Sequence, residues 1–399
     1  MDPIALDKTQ KVKIIDQSLV STSGSVQAGM DYQGIEWDVI MPGIGRKFYR
    51  RQRDLKFKPY RNGIGELKKH SRKQKLPKNS IYDFSKYYRN LPTLVGHFQL
   101  RYNLVAISKY DFLHVKQDGI YKFSTLDHDT KDFNYADDFT PVCLGYADGY
   151  AVSGGFEGEL AVYDLEANKV RFFGKTTEGD HILNCSHIYK EDGQLKILTG
   201  ANDCYLRMYN IKYFKEPSLS FKFDTAVNNC SVSPANSNII AVCCDQNETE
   251  ILDIRLNKVV MKLYGHEDYT FASDWHPNGL FLATGNQDLT CRVWDMRKVS
   301  TEYHILPSEV ASVSNVKFAA GGQYLIFSEA IDYVSIYDFQ KECEVYQKID
   351  VFGEITGMDV TPGDNETLFF GVRLKDYEGV FEYTLKKGSM TKMVEESFI

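Results

Sequence analysis

Short runs of alternating apolar and polar residues, separated by turn residues, recur along the chain. In the clearest case, Phe271-Ala-Ser-Asp-Trp-His-Pro-Asn-Gly279 is followed by Leu282-Ala-Thr-Gly-Asn-Gln-Asp288 and Thr290-Cys-Arg-Val-Trp-Asp295. An alternation with a period of two is typical of half-buried strands, and the Pro-Asn-Gly and Asn-Gln-Asp steps contain residues that favour tight turns. This segment therefore predicts successive antiparallel strands.

The spacing of polar and aromatic positions in this segment recurs elsewhere. It consists of a hydroxyl residue, an acid four residues later and an aromatic six residues after the acid, here Thr284, Asp288 and Trp294. Three more triplets fit, the last with its second interval one residue shorter: Ser153, Glu157 and Tyr163; Thr199, Asp203 and Tyr209; Ser328, Asp332 and Tyr337. The turn acids Asp111, Glu157, Asp203, Asp288 and Asp332 lie 46, 46, 85 and 44 residues apart, and the interval of 85 spans two periods with Asp245 as the predicted turn between them.

These repeats predict an all-β fold built from successive units. Seven units are indicated, at about 97–138, 139–176, 177–224, 225–264, 265–306, 307–352 and 353–388. Four short strands per unit at a period near 44 residues are typical of a β-propeller, whose blades bury together the faces that none could bury alone. Residues 82–95 are an alternative source for the strand that closes the last blade.

The fifth unit resembles a WD repeat, because Gly265-His266 and Trp294-Asp295 stand 28 residues apart. Within the WD-repeat superfamily, residues 85–385 resemble a poorly characterised family of fungal and plant cytosolic WD-repeat proteins. The motifs that carry this resemblance are Tyr88-Arg-Asn-Leu-Pro-Thr-Leu-Val-Gly-His-Phe-Gln-Leu-Arg101, Ser233-Pro-Ala-Asn-Ser-Asn238, the segment His276 to Asp288, and Phe352-Gly-Glu-Ile-Thr-Gly357. The resemblance implies a WD-repeat β-propeller and assigns almost no activity; with the seven units counted above, we predict a seven-bladed WD-repeat β-propeller.

The resemblance also implies a structural role for four residues of the fifth unit. In a WD repeat, the residues at the positions of His266, Thr284, Asp288 and Trp294 form a hydrogen-bonded chain within the blade. A buried network whose polar groups satisfy one another specifies one structure. We therefore interpret these residues as structural, although an Asp-His-Thr set is also found in nucleophilic catalysis.

The net charge of −7 conceals two parts of opposite sign. Residues 46–78 contain 14 lysines and arginines against two acids, a net charge of +12, which leaves −19 on the other residues. This segment also carries aromatic and glycine residues and shows no apolar period of 3.6 or 2.0. We therefore predict a basic, largely extended N-terminal arm that is disordered in isolation.

A basic arm with interspersed aromatic rings is suited to RNA, because cations follow the phosphates and rings stack on unpaired bases. The sequence therefore predicts contact with an RNA-containing assembly, with the ribosome as the favoured partner. The residues predicted to make this contact are Arg46, Lys47, Phe48, Tyr49, Arg50, Arg51, Arg53, Lys56, Lys58, Tyr60, Arg61, Lys68, Lys69, Arg72, Lys73 and Lys75. Two alternatives are a nuclear-import signal at 68–75, which would fit a nuclear protein-protein scaffold, and an arm folded on the propeller's own acidic surface.

Two other residues are candidates for partner contacts. Trp37, in the short apolar run Gly34 to Pro42, could anchor a partner or pack back onto a blade. Residues 282–297 resemble the box by which WD-repeat substrate receptors dock on the adaptor of a cullin-4 ubiquitin ligase, with Arg297 at the position of the contacting arginine. Leu252-Asp-Ile-Arg255 is a weaker second copy of this box.

The remaining motifs favour a binding platform without catalysis. The sequence contains no phosphate-binding loop, nucleophile elbow or metal triad, and its eight cysteines show no zinc or redox spacing. We therefore predict no cofactor, no metal, no small-molecule substrate and no membrane contact. The predicted organisation is an N-terminal extension at 1–90, a monomeric propeller at 91–388 and a tail at 389–399. The predicted location is the cytoplasm, with the nucleus as an additional location.

Overall fold

A computed structural model describes most of the chain. The described residues are 13–14, 20–22, 31–37, 43, 45–62, 80–117, 119–133, 139–214, 216–363 and 367–386. Among them are one α-helix, α1 (Gly45–Lys56), and two short 3₁₀ helices at Ala320–Gly322 and Phe339–Lys341. These ranges also contain β-strands.

The strands follow the alternating runs of the sequence. In chain order they are β1 (Lys13–Ile14), β2 (Val20–Thr22), β3 (Tyr82–Arg89), β4 (Leu104–Ser108), β5 (Asp111–Lys116), β6 (Gly119–Ser124), β7 (Asp129–Phe133), β8 (Pro141–Ala147), β9 (Tyr150–Gly155), β10 (Glu159–Asp164), β11 (Lys169–Lys175), β12 (Leu183–Glu191), β13 (Gln194–Ala201), β14 (Tyr205–Asn210), β15 (Leu219–Lys222), β16 (Val227–Val232), β17 (Ile239–Cys244), β18 (Thr249–Asp253), β19 (Lys258–Leu263), β20 (Thr270–Trp275), β21 (Phe281–Asn286), β22 (Thr290–Asp295), β23 (His304–Pro307), β24 (Val313–Ala319), β25 (Tyr324–Glu329), β26 (Ile331–Asp338), β27 (Tyr346–Val360), β28 (Thr367–Arg373) and β29 (Gly379–Leu385).

These strands form antiparallel sheets of sequential strands. Within the described residues there are six sheets: β4 to β7 with β1 at the edge, β8 to β11, β12 to β15, β16 to β19, β20 to β23, and an eight-stranded sheet in the order β2-β3-β29-β28-β27-β26-β25-β24. The strands of the first five units that the sequence indicates form the five smaller sheets, and β1 joins the first of these sheets from outside its unit. The last two units lie together in the eight-stranded sheet.

The long strand β27 joins the two halves of the eight-stranded sheet. Residues 346–350 pair with β26, whereas residues 355–360 pair with β28. The innermost strands then contact one another in a closed series, from β4 through β8, β12, β16, β20 and β24 to β27 and back to β4. The sheets are therefore arranged in a ring, as the propeller hypothesis requires.

The strand β3 completes the last part of the eight-stranded sheet. It pairs with β29 from Arg89 opposite Gly379 to Tyr82 opposite Leu385. The buried ring of Tyr87 stacks on Phe381 at a centroid distance of 4.2 Å. A strand from the region 82–95 thus closes the ring, and residues within the predicted extension 1–90 are part of the sheet structure.

Hydrogen bonds between adjacent sheets reinforce the ring. Asp274 on β20 accepts a bond from the backbone N–H of Phe318 on β24 at 2.7 Å, and Asp359 on β27 accepts one from Ala106 on β4 at 3.0 Å. The Lys317 ammonium lies 3.1 Å from the second Asp359 oxygen. These carboxylates therefore connect the inner strands through the backbone, including the junction between the last and first sheets.

The fifth unit contains the buried hydrogen-bonded chain of a WD repeat. Nδ1 of His266 lies 2.8 Å from Oδ2 of Asp288, and its Nε2 lies 2.8 Å from Oγ1 of Thr284. Trp294 donates its indole N–H to the same hydroxyl at 2.9 Å. Burial alone would raise the pKa of Asp288, but His266, the Thr290 hydroxyl and a backbone N–H lower it below its usual range. The carboxylate is therefore held in its ionised form.

The equivalent hydroxyls in two other units lack this environment. Thr199 on β13 and Ser328 on β25 are fully buried, and neither hydroxyl has a hydrogen-bond partner among the described residues. Tyr209 and Tyr337 stand where the fifth unit has Trp294. These units are held by apolar packing, with Tyr337 stacked on Phe327 at 5.6 Å.

This difference predicts unequal effects of the same substitution. Thr284→Val would leave the imidazole of His266 and the indole N–H of Trp294 without their shared partner, so we expect the free energy of unfolding to fall by about 2 kcal/mol. Thr199→Val removes a buried hydroxyl that has no partner, so we expect no loss of stability. Urea denaturation of both variants measures the difference, and equal losses would contradict the assigned role of the network.

Candidate nucleic-acid interface

Each sheet places two kinds of loop at the same end of the ring. One is the turn between its second and third strands, and the other is the connection to the next sheet. Residues 287–289 and 264–269 are examples. We call this end the connection face and the other end the opposite face. Residues 31–37 and 45–62 of the N-terminal segment lie against the connection face.

The helix α1 corrects the expectation of an extended arm at its start. The sequence shows no apolar period here, but Arg46, Arg50 and Arg53 recur at helical spacing and lie on the inner side of the helix. The helix also ends with Arg53 and Lys56 in its last turn, where cations interact favourably with the helix dipole. Ion pairing with the propeller, rather than an apolar stripe, therefore stabilises this helix.

Arg50 is the central contact of α1. Its guanidinium donates to Oδ2 of Asp332 at 2.8 Å and also to Asp350 and the backbone carbonyl of Val351. It lies over the ring of Phe352, 3.9 Å from the centroid. Burial disfavours its charge, but the carboxylates of Asp332 and Asp350 outweigh burial and raise the pKa of Arg50. This arginine is therefore charged and buried, and both of its terminal nitrogens donate to the propeller.

Two other arginines of α1 support the same contact. Arg46 donates to Oδ2 of Asp350 at 3.0 Å, and Arg53 donates to Oδ2 of Asp332. The buried carboxylate of Asp332 also accepts the backbone N–H of Gly353 at 2.8 Å. Asp332, which the sequence indicates only as a turn acid, is thus a binding site for two arginines of the same chain.

Trp37 packs onto the propeller. Its ring contacts Phe352 and Tyr49 at centroid distances of 5.1 and 5.4 Å, and its indole N–H donates to Asp31 at 3.1 Å. The side-chain amide of Gln33 exchanges two hydrogen bonds of 2.7 Å with the backbone of Phe352. The second sequence-based interpretation of Trp37, packing onto a blade, describes this arrangement.

The segment after α1 continues across the connection face. The side-chain amide of Gln287 donates to the backbone carbonyl of Tyr60, and the backbone N–H of Asn62 donates to Oδ2 of Asp268 at 3.0 Å. The ring of Tyr60 meets that of Phe98 edge to face at 5.6 Å. Phe98 belongs to the connection between β3 and β4. It is an aromatic residue of this surface that the sequence analysis did not identify.

The outer side of this segment remains exposed to solvent. Among the residues predicted to contact RNA, Tyr49 and Arg61 are half-buried. Five others lie outside the described residues: Lys68, Lys69, Arg72, Lys73 and Lys75. The exposed side chains combine cationic groups with apolar and aromatic ones: Lys47, Phe48, Arg51, Leu55, Lys56, Lys58 and Tyr60. We call this set the outer basic surface. The structure therefore divides the predicted RNA-contact residues into an anchoring group and an exposed group.

Arg297 lies on the opposite face, in the loop after β22. It makes two hydrogen bonds to Asp295, of 2.8 and 2.7 Å, and more than half of its side chain is exposed. Arg255 pairs with Asp253 in the same way in the preceding sheet. The aspartates hold the two arginines in defined orientations at the surface.

Other chemistry is sparse in the described residues. They contain no group of three or more His, Cys, Asp or Glu side chains placed to hold a metal ion. The cysteines are free thiols, and all but the half-buried Cys204 are buried. None of the helices in the described ranges is long and apolar enough to span a membrane.

Comparison with known proteins agrees with the ring and the buried network. The family model described as "WD domain, G-beta repeat" matches residues 257–295, the region that contains the hydrogen-bonded chain of His266, Thr284, Asp288 and Trp294. This match, together with the ring of sheets and the buried network, supports assignment of the chain to the WD-repeat β-propeller superfamily. A chain from a crystal structure of the mitotic checkpoint complex superposes with a TM-score of 0.65, covering 81% of this chain and 99% of that chain, at 12% sequence identity. That likeness concerns the fold alone.

Curated WD-repeat relatives share parts of their sequence with this chain. The U3 small nucleolar RNA-associated protein 21 homolog of Schizosaccharomyces pombe is 24% identical over 198 residues, 49% of this chain and 21% of the relative. Human DDB1- and CUL4-associated factor 10 is 31% identical over 127 residues, 32% of this chain and 22% of the relative. The β subunit of a guanine nucleotide-binding protein from Zea mays is 23% identical over 203 residues, 46% of this chain and 53% of the relative. The matches thus span from about a fifth to about half of the relatives' lengths.

The anchoring role of Arg50 predicts a large contrast with its neighbour. Arg50→Ala would leave Asp332 and Asp350 without their shared cation, so we expect α1 to detach and the free energy of unfolding to fall by about 3 kcal/mol. Arg51→Ala removes an exposed charge of the same helix and should change stability by less than about 0.5 kcal/mol. Amide hydrogen exchange of residues 45–56 measures the detachment. Equal protection in the two variants would show that Arg50 does not hold the helix.

Proposed function

We propose that this chain is a non-catalytic binding platform, a seven-bladed propeller that contacts an RNA-containing assembly, with the ribosome as the favoured partner, through its N-terminal basic segment. The observation that carries the proposal is the outer basic surface. After three arginines of α1 have paired with propeller carboxylates, Lys47, Arg51, Lys56 and Lys58 are still directed to solvent.

The composition of the outer basic surface suits a polyanion with planar groups. Lysine and arginine attract phosphates through a long-range and salt-dependent interaction. Phe48 and Tyr60, which are 53% and 57% exposed, offer rings on which bases can stack. Because the anchored side of α1 fixes this surface on a rigid scaffold, binding does not require the described part of the segment to fold first.

Similarity to a known protein supports the type of partner. By its name, the Schizosaccharomyces pombe relative is associated with U3 small nucleolar RNA. We propose that this chain also contacts an RNA-containing assembly. The predicted cytoplasmic location, the nuclear alternative and a monomeric propeller belong to the same proposal.

The count of seven blades is supported by β27. If its two halves are assigned to different blades, the eight-stranded sheet provides two four-stranded units, β24 to the first half of β27 and the second half of β27 to β29 with β3. Together with the other five sheets they make seven. Each unit then has the four-stranded form of a propeller blade.

The proposal predicts that charge reversal on one face abolishes RNA association. A variant with Lys47, Arg51, Lys56 and Lys58 changed to Glu should no longer co-sediment with ribosomes or bind purified RNA. For the wild-type protein, the logarithm of the binding constant should fall linearly with the logarithm of the salt concentration, and these four cations should contribute roughly 3 to the steepness of that slope. Co-sedimentation over a series of salt concentrations, with and without nuclease, is the measurement.

A matched control is available on the opposite face. Lys169, Lys212, Lys258 and Lys298 are exposed and follow the third strands of four sheets. Changing all four to Glu alters the net charge equally but should leave RNA association near the wild-type level. Equal losses in the two variants would assign the effect to net charge, and no loss in either would refute the proposed interface.

A separate experiment addresses the import-signal alternative. If deletion of residues 46–78 shifts the protein to the cytoplasm without reducing the amount of RNA recovered with it, that alternative is favoured.

A second candidate function is docking on the adaptor of a cullin-4 ubiquitin ligase. It is favoured by the exposed and oriented Arg297 and by the similarity to human DDB1- and CUL4-associated factor 10. Arg297→Ala should abolish co-purification of the adaptor, whereas Arg171→Ala should not. Arg171 is the matched control because it is also an exposed arginine bonded to an aspartate, Asp164. Unchanged recovery with Arg297→Ala would remove this candidate.

A further inference from the structure

Two exposed aromatic rings from distant parts of the chain meet on the connection face. Tyr60 follows α1, and Phe98 lies in the connection between β3 and β4. Their centroids are 5.6 Å apart with the ring planes at 89°, yet the residues are 57% and 63% exposed. More than half of the surface of each residue is therefore accessible to a partner.

We propose that Tyr60 and Phe98 form a stacking site for unpaired bases, so that the connection face takes single-stranded rather than duplex RNA. This inference rests on the proposed function and makes it more specific. It assigns the aromatic pair to base recognition and Lys58, two residues before Tyr60, to the phosphate backbone.

Hydrogen bonds fix the backbone on both sides of the site. Gln287 holds the carbonyl of Tyr60, and Asp268 holds the N–H of Asn62. Beside Phe98, Nδ1 of His97 accepts the backbone N–H groups of Gln99 and Leu100, each at 3.2 Å. The two rings are thus presented by ordered backbone, which reduces the entropy lost when a base is bound.

His97 is suited to holding this loop at neutral pH. Burial, with a smaller contribution from the nearby Arg101, lowers the pKa of His97 to about 4. The imidazole is therefore uncharged at neutral pH, and its Nδ1 is able to accept the two N–H groups. Arg101 in turn donates to the backbone carbonyl of His97.

The chemistry favours unpaired RNA over the other occupants of an exposed apolar site. A purely apolar partner would leave Lys58 and the cations of α1 without a counterpart, whereas phosphates complement them. In a duplex the bases are stacked on one another, so their faces are not accessible to Tyr60 and Phe98. A flexible single strand satisfies both the rings and the charges.

The experiment compares a short unstructured RNA with the matching duplex by fluorescence anisotropy, using the full-length chain. The double variant Tyr60→Ala with Phe98→Ala should bind the single strand at least about tenfold more weakly and the duplex as the wild type does. Tyr60→Phe with Phe98→Tyr keeps both rings and should retain affinity for the single strand. Tyr213→Ala removes a 73% exposed ring on the opposite face and should have no effect.

The outcomes separate this inference from the proposed function. If the wild type binds RNA but the alanine pair binds the single strand equally well, the stacking site is refuted and the basic surface stands. If the wild type binds neither RNA at low salt, the proposed function fails. If poly-glutamate competes as well as RNA of equal charge, the partner is an acidic polypeptide and the inference is wrong. Thermal unfolding of each variant verifies that the fold is retained.

Discussion

The pairing of β3 with β29 is the constraint on which the rest of the structure depends. Without a final strand, the last sheet would expose the unpaired edge of β29. Because β3 precedes β4 in the sequence, its pairing with β29 brings distant parts of the chain together at the junction between the last and first sheets. The bond from Ala106 to Asp359 joins the inner strands at the same junction.

Ring closure also determines where the N-terminal segment can lie. The closing strand belongs to the same eight-stranded sheet as Asp332 and Asp350, which receive α1. Burying a guanidinium is unfavourable unless carboxylates and hydrogen bonds compensate for its lost hydration, and Arg50 has both. Ion pairs therefore hold the helix on the propeller, and its exposed cations take no part in this attachment. One basic segment thus performs two roles: its inner side attaches to the platform and its outer side forms a surface for a polyanion.

Much of the fold is predictable because its signals are local in sequence. The turn and strand residues around Thr284, Asp288 and Trp294 specify a repeat by spacing alone, and the period near 44 residues locates the other units. A test for apolar periodicity could not identify the helical conformation of residues 45–56, because the residues that recur at helical spacing there are arginines. Recognising that period would have required knowing that Asp332 and Asp350 lie beneath it. The proximity of Phe98 to Tyr60 likewise depends on ring closure and leaves no sign in the local sequence.

Ultraviolet cross-linking of the full-length chain to RNA, followed by mass spectrometry of the cross-linked peptides, tests the central claim most directly. The account predicts that cross-linked residues concentrate on the connection face, in residues 47–60 and around Phe98. Cross-links concentrated on the opposite face, around Tyr213 and Arg297, would contradict it.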